Sequence, residues 1–181
     1  MDAGLFSLAD YLSQKDILTP LPYCIATRDQ VKSVMLFSNH GWQELDNKVI
    51  GIMDDTATSV RLLRVLLEKK YGVKAELRRL HSGVNDYEGF DAVLLIGDEA
   101  LMHQKTGLKK FELVFDLATE WYEWQKLPFV FAVWAIRKAL PQESRKELAS
   151  IIQNALLKGE VEFEQISQAH AGRIGLTATE A

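Results

Sequence analysis

Short apolar runs alternate along this chain with stretches of helical period. Tyr23–Ala26, Ser33–Phe37, Val49–Met53, Ala92–Ile96, Leu113–Phe115 and Phe129–Trp134 are rich in Val, Ile and Phe and have the length of strands. After the third run, Val60, Leu63 and Leu67 recur at i, i+3 and i+7, and Leu62 and Leu66 widen the stripe. Gly72 then stands where a helix C-terminus would put it. A second long helix is expected to start near Pro141, a residue tolerated in a first turn. It should run through Leu148, Ile151, Ile152 and Leu156 to Gly159. Strand, helix, strand in this order predicts crossover connections, hence an α/β fold with a mostly parallel sheet. Val93–Ile96 shows no polar alternation, as a strand covered on both faces requires.

The two ends read differently. The chain enters a helix-like segment, Ser7–Leu12, with no strand expected before it. It stops at Thr177-Ala-Thr-Glu180, a capping box that normally opens a helix. These features predict a chain lacking both edges of its fold, and frayed termini account for them equally well.

In an open α/β sheet, ligands bind beyond the carboxyl ends of the strands. Three such places carry small or hydroxylic residues. The first is Asp54-Asp55-Thr56-Ala57-Thr58-Ser59, where a helix N-terminus offers hydroxyls and free N–H groups to a carboxylate or phosphate. Asp55, Thr56 or Thr58 serving only as an N-cap is the other reading. The second is Ser38, which either donates to an anion or closes a turn; Ser33, five residues back, shares a cleft with it only if the strand bends. The third is Gly97-Asp98, where glycine admits close approach of a ligand and Asp98 either caps the next helix or accepts a substrate hydroxyl.

Charge narrows the classes. Lys and Arg number 21 against 25 Asp and Glu, a formal net charge of −4, which argues against a nucleic-acid binder. The uncharged run Leu127–Ile136 is far short of the ~20 residues a membrane span needs. With no basic n-region in MDAGLFSLADYL, a soluble cytoplasmic protein is expected. A single cysteine, Cys24, excludes an internal disulfide, and its apolar neighbours predict a small core residue. The histidines His40, His81, His103 and His170 are scattered, so no metal site is expected. GxxxxGK[ST], GxGxxG and GxSxG are all absent, which favours a carboxylate ligand over a nucleotide and leaves a hydrolase triad unsupported. Trp121, Tyr122 and Trp124 on one short helix predict packing between two lobes, with a wall over a ring-shaped ligand as the alternative.

Several stretches carry more than composition. Asp2–Tyr11, Leu21–Ala26, Ser33–Ser38, Asp55–Val60, Leu95–Ala100, and Glu120–Trp124 followed by Leu127–Arg137 closely resemble the chorismate dehydratases of the futalosine route to menaquinone, collinearly from about residue 2 to about 158. The resemblance implies a type II periplasmic-binding-protein-like fold. It would comprise an incomplete lobe of residues 1–37 and 127–181 and a second lobe of 38–126. It implies dehydration of chorismate to 3-[(1-carboxyvinyl)oxy]benzoate, with no metal or cofactor. Thr58 and Ser59, beside Thr56, would bind one carboxylate of this small dicarboxylate, Ser33 or Ser38 would donate from the crossover strand, and Gly97 and Asp98 would close the cleft. No residue is assigned as the base. An initial cleft-lining segment of the family has no counterpart here, so an internal portion of that fold is expected. A non-catalytic solute-binding or sensory protein of the same fold is the competing class.

Overall fold

The computed structural model describes residues 2–53, 57–80 and 87–179. They fall into two compact units, Met1–Ile25 with Ala132–Ala181, and Ala26–Phe131.

In the second unit, strands β3 (Val34–Ser38), β4 (Val49–Ile52), β5 (Glu76–Arg79), β6 (Ala92–Ile96) and β7 (Leu113–Asp116) form a sheet in the order β5-β4-β6-β3-β7. The uniformly apolar Ala92–Ile96 run takes the centre, where both faces are covered. Alternate residues feed two cores. Val34, Leu36, Ala92 and Leu94 face one side, with Leu62, Leu63, Leu66 and Leu67 packed on them. Met35, Phe37, Val93 and Leu95 face the other, against Tyr87, Ala100 and Phe111. Helix α2 (Ala57–Val65) continues into a π-helical turn, Leu66–Tyr71, which ends at Gly72 with φ 71°. Glycine tolerates that left-handed conformation. Helices α3 (Gly97–Thr106) and α4 (Leu117–Gln125) follow β6 and β7 directly.

The sheet is mixed where a mostly parallel one was expected. β4 runs parallel to β5 and β6, but β3 runs antiparallel to β6 and β7. No helix precedes β3 in this unit to return the chain to the starting edge, so nothing forces it into the parallel direction. β5 escaped the sequence reading because it is an edge strand; of Glu76-Leu-Arg-Arg79 only Leu77 is partly buried.

The first unit holds β1 (Ala3–Ser7) and most of β2 (Leu18–Thr27) and β8 (Phe129–Arg137); β1 and β2 flank β8, and β1 pairs antiparallel with it from Ala3↔Ile136 to Ser7↔Ala132. A strand thus stands before the helical segment, where none was expected. Its partner lies far along the chain, beyond the reach of local pattern. Ser7 ends β1 and caps α1 (Leu8–Ser13) by accepting the Asp10 N–H at 3.1 Å. Cys24 is exposed rather than a core residue. On the edge strand β2 it shares a side with exposed Pro20 and Pro22, whereas Leu21 and Tyr23 turn inward. Pro141 is the N-cap of α5 (Gln142–Val161) instead of a first-turn residue, and α5 runs past Gly159 to Val161. Helix α6 (Phe163–Ala171) follows, outside the sequence-based expectation. Thr177 is described, but Glu180 of the capping box lies outside the described residues.

Two expectations follow. A Cβ on Gly51 would stand 2.7 Å from Leu80 Cδ2 and 3.1 Å from Phe90 Cδ1. Gly51→Val should therefore cost about 1–3 kcal/mol through overpacking, measured by denaturant unfolding. Asp91 accepts the Val49 N–H at 2.9 Å and faces His40 (3.4 Å) and Lys48 (3.6 Å). The Val49 bond, above all, holds its carboxyl below the usual range against the opposing effect of burial, with Lys48 and His40 assisting. A depressed folded-state pKa adds stability above the unfolded pKa and loses it as pH falls through the folded one. The stability gap between wild type and Asp91→Asn should be full at neutral pH and close as pH drops below about 4, read by thermal melts at stepped pH.

Candidate functional site

The registers place the sequence-predicted residues at definite ends of the sheet. Ile52 lies beside Leu94, Leu94 beside Leu36, Ile96 beside Val34, and Met35 beside Asp116. One edge thus collects the carboxyl ends of β4, β6 and β7 and the amino end of β3. α2, α3 and α4 all start there, with positive dipole ends at that edge. Ser33, immediately before β3, lies there too.

Ser38 does not. The reversal of β3 carries it to the opposite edge, beside Ala92 and Leu113. It is fully buried. Its hydroxyl donates to the His40 carbonyl at 2.9 Å and accepts the His40 N–H at 3.0 Å. That is the turn reading of this serine, and it separates Ser38 from the other candidates.

Thr58 and Ser59 occupy the first turn of α2, 7% and 6% exposed. α2 begins at Ala57, so Thr58 is a first-turn residue rather than the cap, and the described first turn carries no acidic side chain. Thr56, with Asp54 and Asp55, lies outside the described residues.

Gly97 opens α3 with φ 61°, a conformation that disfavours any residue with a Cβ. Its N–H is already used, donating to the Ser33 carbonyl at 2.8 Å. Asp98 is exposed in the first turn of α3 and does not cap it; the N-cap is Ile96, without a side-chain bond.

Asp116 was missed. Its Oδ1 accepts the N–H groups of Ala118 (2.9 Å) and Thr119 (3.1 Å), capping α4. Its Oδ2 accepts those of Val31 (2.9 Å) and Lys32 (2.7 Å). The α4 N-terminus is therefore occupied by an internal carboxylate. The cap was visible in Asp116-Leu-Ala-Thr119; the bonds to Val31 and Lys32 had no local signal.

Behind the edge, α4 is held by aromatic and ionic contacts. Trp121 stacks edge-on with Trp124 at 6.0 Å and with Phe129 at 5.4 Å, all against the Leu-rich core of this unit. Trp121 and Trp124 thus pack within the second unit. Lys70 Nζ and the Tyr71 hydroxyl both donate to Glu120 Oε2, and Trp42 stacks on Tyr71 at 4.8 Å. Burial chiefly, then the bond to Glu120 and the charges of Glu120 and Glu123, push the Tyr71 phenol well above its ordinary value. Among the described residues no group of three His, Cys, Asp or Glu is placed to hold a metal ion, and no helix is long and apolar enough to cross a membrane.

A family model for menaquinone biosynthesis matches residues 1–180. The chain belongs to the menaquinone-biosynthesis family. It is 32% identical over 187 aligned positions to a chorismate dehydratase of Thermus thermophilus, covering 96% of this chain and 67% of that protein. A crystal structure of an Archaeoglobus fulgidus protein superposes with a TM-score of 0.72 at 23% identity, over 99% of this chain and 66% of that one. The periplasmic aliphatic sulphonate binding protein of Escherichia coli gives 0.61 at 15% identity, over 99% and 63%. These structural likenesses establish the periplasmic-binding-protein fold. The chain spans about two thirds of the length of the relatives it matches.

Truncating Trp121 removes two ring contacts from the α4 seat. Trp121→Ala should destabilise the second unit by about 3 kcal/mol, the lower end for core aromatics because the residue is only partly buried, measured by denaturant unfolding.

Proposed function

We propose that this protein acts in the cytoplasm as a chorismate dehydratase, a hydro-lyase that converts chorismate to 3-[(1-carboxyvinyl)oxy]benzoate and water. The observation that carries this reading is the likeness along 96% of the chain to the Thermus thermophilus protein of that name. The sheet edge supports it. Chorismate carries two carboxylates, and the buried hydroxyls Thr58 and Ser59 stand at a helix N-terminus free of described acidic residues, which suits one of them. The Ser33 hydroxyl is the second donor, and Gly97 lets backbone approach the ring.

Comparing substrate with product fixes the chemistry. The ring carbon bearing the enolpyruvyl ether loses a proton, its neighbour loses hydroxide, and the two leave together as water while the ring becomes aromatic. Aromatisation supplies the driving force, so the protein's task is orientation, and a carboxylate of the substrate takes the proton. Orientation of this kind contributes up to about 7–11 kcal/mol.

Purified protein mixed with chorismate should give a product lighter by one water, followed by ultraviolet absorbance and mass spectrometry. Thr58→Ala with Ser59→Ala should weaken chorismate binding about 10- to 100-fold, the worth of a hydrogen bond to a charged group. Binding without product would instead identify a carboxylate-binding protein of the same fold. Neither binding nor product would overturn both readings.

A further inference from the structure

We propose that Asp116 is a positioning residue that holds Ser33 and the Gly97 turn in register for the substrate, and for its ligand this rests on the chorismate reading above. Its carboxylate carries four backbone N–H bonds, two on each oxygen. Capping α4 needs only Oδ1. Oδ2 does something a cap does not: it grips Val31 and Lys32, 85 and 84 residues away in sequence.

The grip has a geometric consequence one residue later. Lys32 sits at φ 59°, a left-handed conformation uncommon in a residue with a side chain. There the Ser33 N–H folds back to donate to the Val31 carbonyl at 2.7 Å. The Ser33 carbonyl then accepts the Gly97 N–H at 2.8 Å. A continuous chain of bonds thus leads from the α4 N-terminus through Asp116 and the Val31–Lys32 turn to Ser33 and the start of α3. Both backbone groups of Ser33 are committed, and its half-buried hydroxyl has no partner among the described residues. The backbone is fixed and the side chain is left for a ligand, as a preorganised donor requires.

Asp116→Asn separates this role from capping. The asparagine oxygen can still cap α4, but its NH₂ cannot accept from Val31 and Lys32. In the full chain, amide exchange at Val31, Lys32 and Gly97 should rise at least tenfold, with Leu36 in the middle of β3 unchanged. Chorismate should dissociate at least tenfold more readily from D116N than from wild type. In a Ser33→Ala background the same substitution should cost less than threefold, because the group it positions is gone. A Gly97 amide that stays protected in D116N would overturn the proposal, as would effects of D116N and S33A that multiply independently. If wild type takes up no chorismate, the substrate reading fails, and exchange at Gly97 alone decides the positioning role.

Discussion

Every residue of β3, from Val34 to Ser38, is buried, and it must satisfy its backbone on both edges by pairing with β6 and β7. It does so running against both of them. That direction decides what gathers where: Ser33 is brought to the edge where three helices begin, and Ser38 is sent to the other. Had the strand been parallel to β6, the two serines would have exchanged ends. The site is in this sense a product of strand polarity before it is a product of side chains.

Two carboxylates secure that arrangement from opposite edges. Asp91 binds the Val49 N–H at the start of β4 and meets His40 just after β3; Asp116 binds the Val31 and Lys32 N–H groups just before β3. Each accepts backbone donors left over where a strand stops pairing. Hydrogen bonds from backbone N–H to an ionised carboxylate are stronger than neutral ones, so the ends of β3 are pinned as firmly as its middle. A third carboxylate, Glu120, takes up Lys70 and Tyr71 and ties α4 to the π-helical turn that follows α2.

What the sequence disclosed depends on whether the decisive contact was local. Ala92–Ile96 was legible to the residue, because a strand buried on both faces must be apolar throughout. The stripe Val60–Leu67 and the glycine stop at Gly72 were legible for the same kind of reason, although the change to a π-helical turn at Leu66 was not. β1 and β5 were hidden, one because its partner is β8, the other because an edge strand is free to be polar. The candidate residues divide likewise. The burial of Thr58 and Ser59 at a helix start follows from local pattern. The end of the sheet at which Ser38 lies is a matter of topology, and the second oxygen of Asp116 answers to residues in another part of the chain.

Pairing of β1 with β8 also has a temporal side. All of Ala26–Phe131 lies between the two stretches that make up the first unit, so Ala3 cannot meet Ile136 until that long intervening segment has been drawn together. Closing so large a loop in an unfolded chain is slow, because the entropy is lost before the contacts can compensate for it. The contiguous unit, with its two cores and mostly short connections, is under no such constraint. Assembly therefore has a natural order in which Ala26–Phe131 condenses first and shortens the search between β1 and β8. On the ribosome β1 would stay unpaired until β8 emerges, after the strands of the second unit have been made.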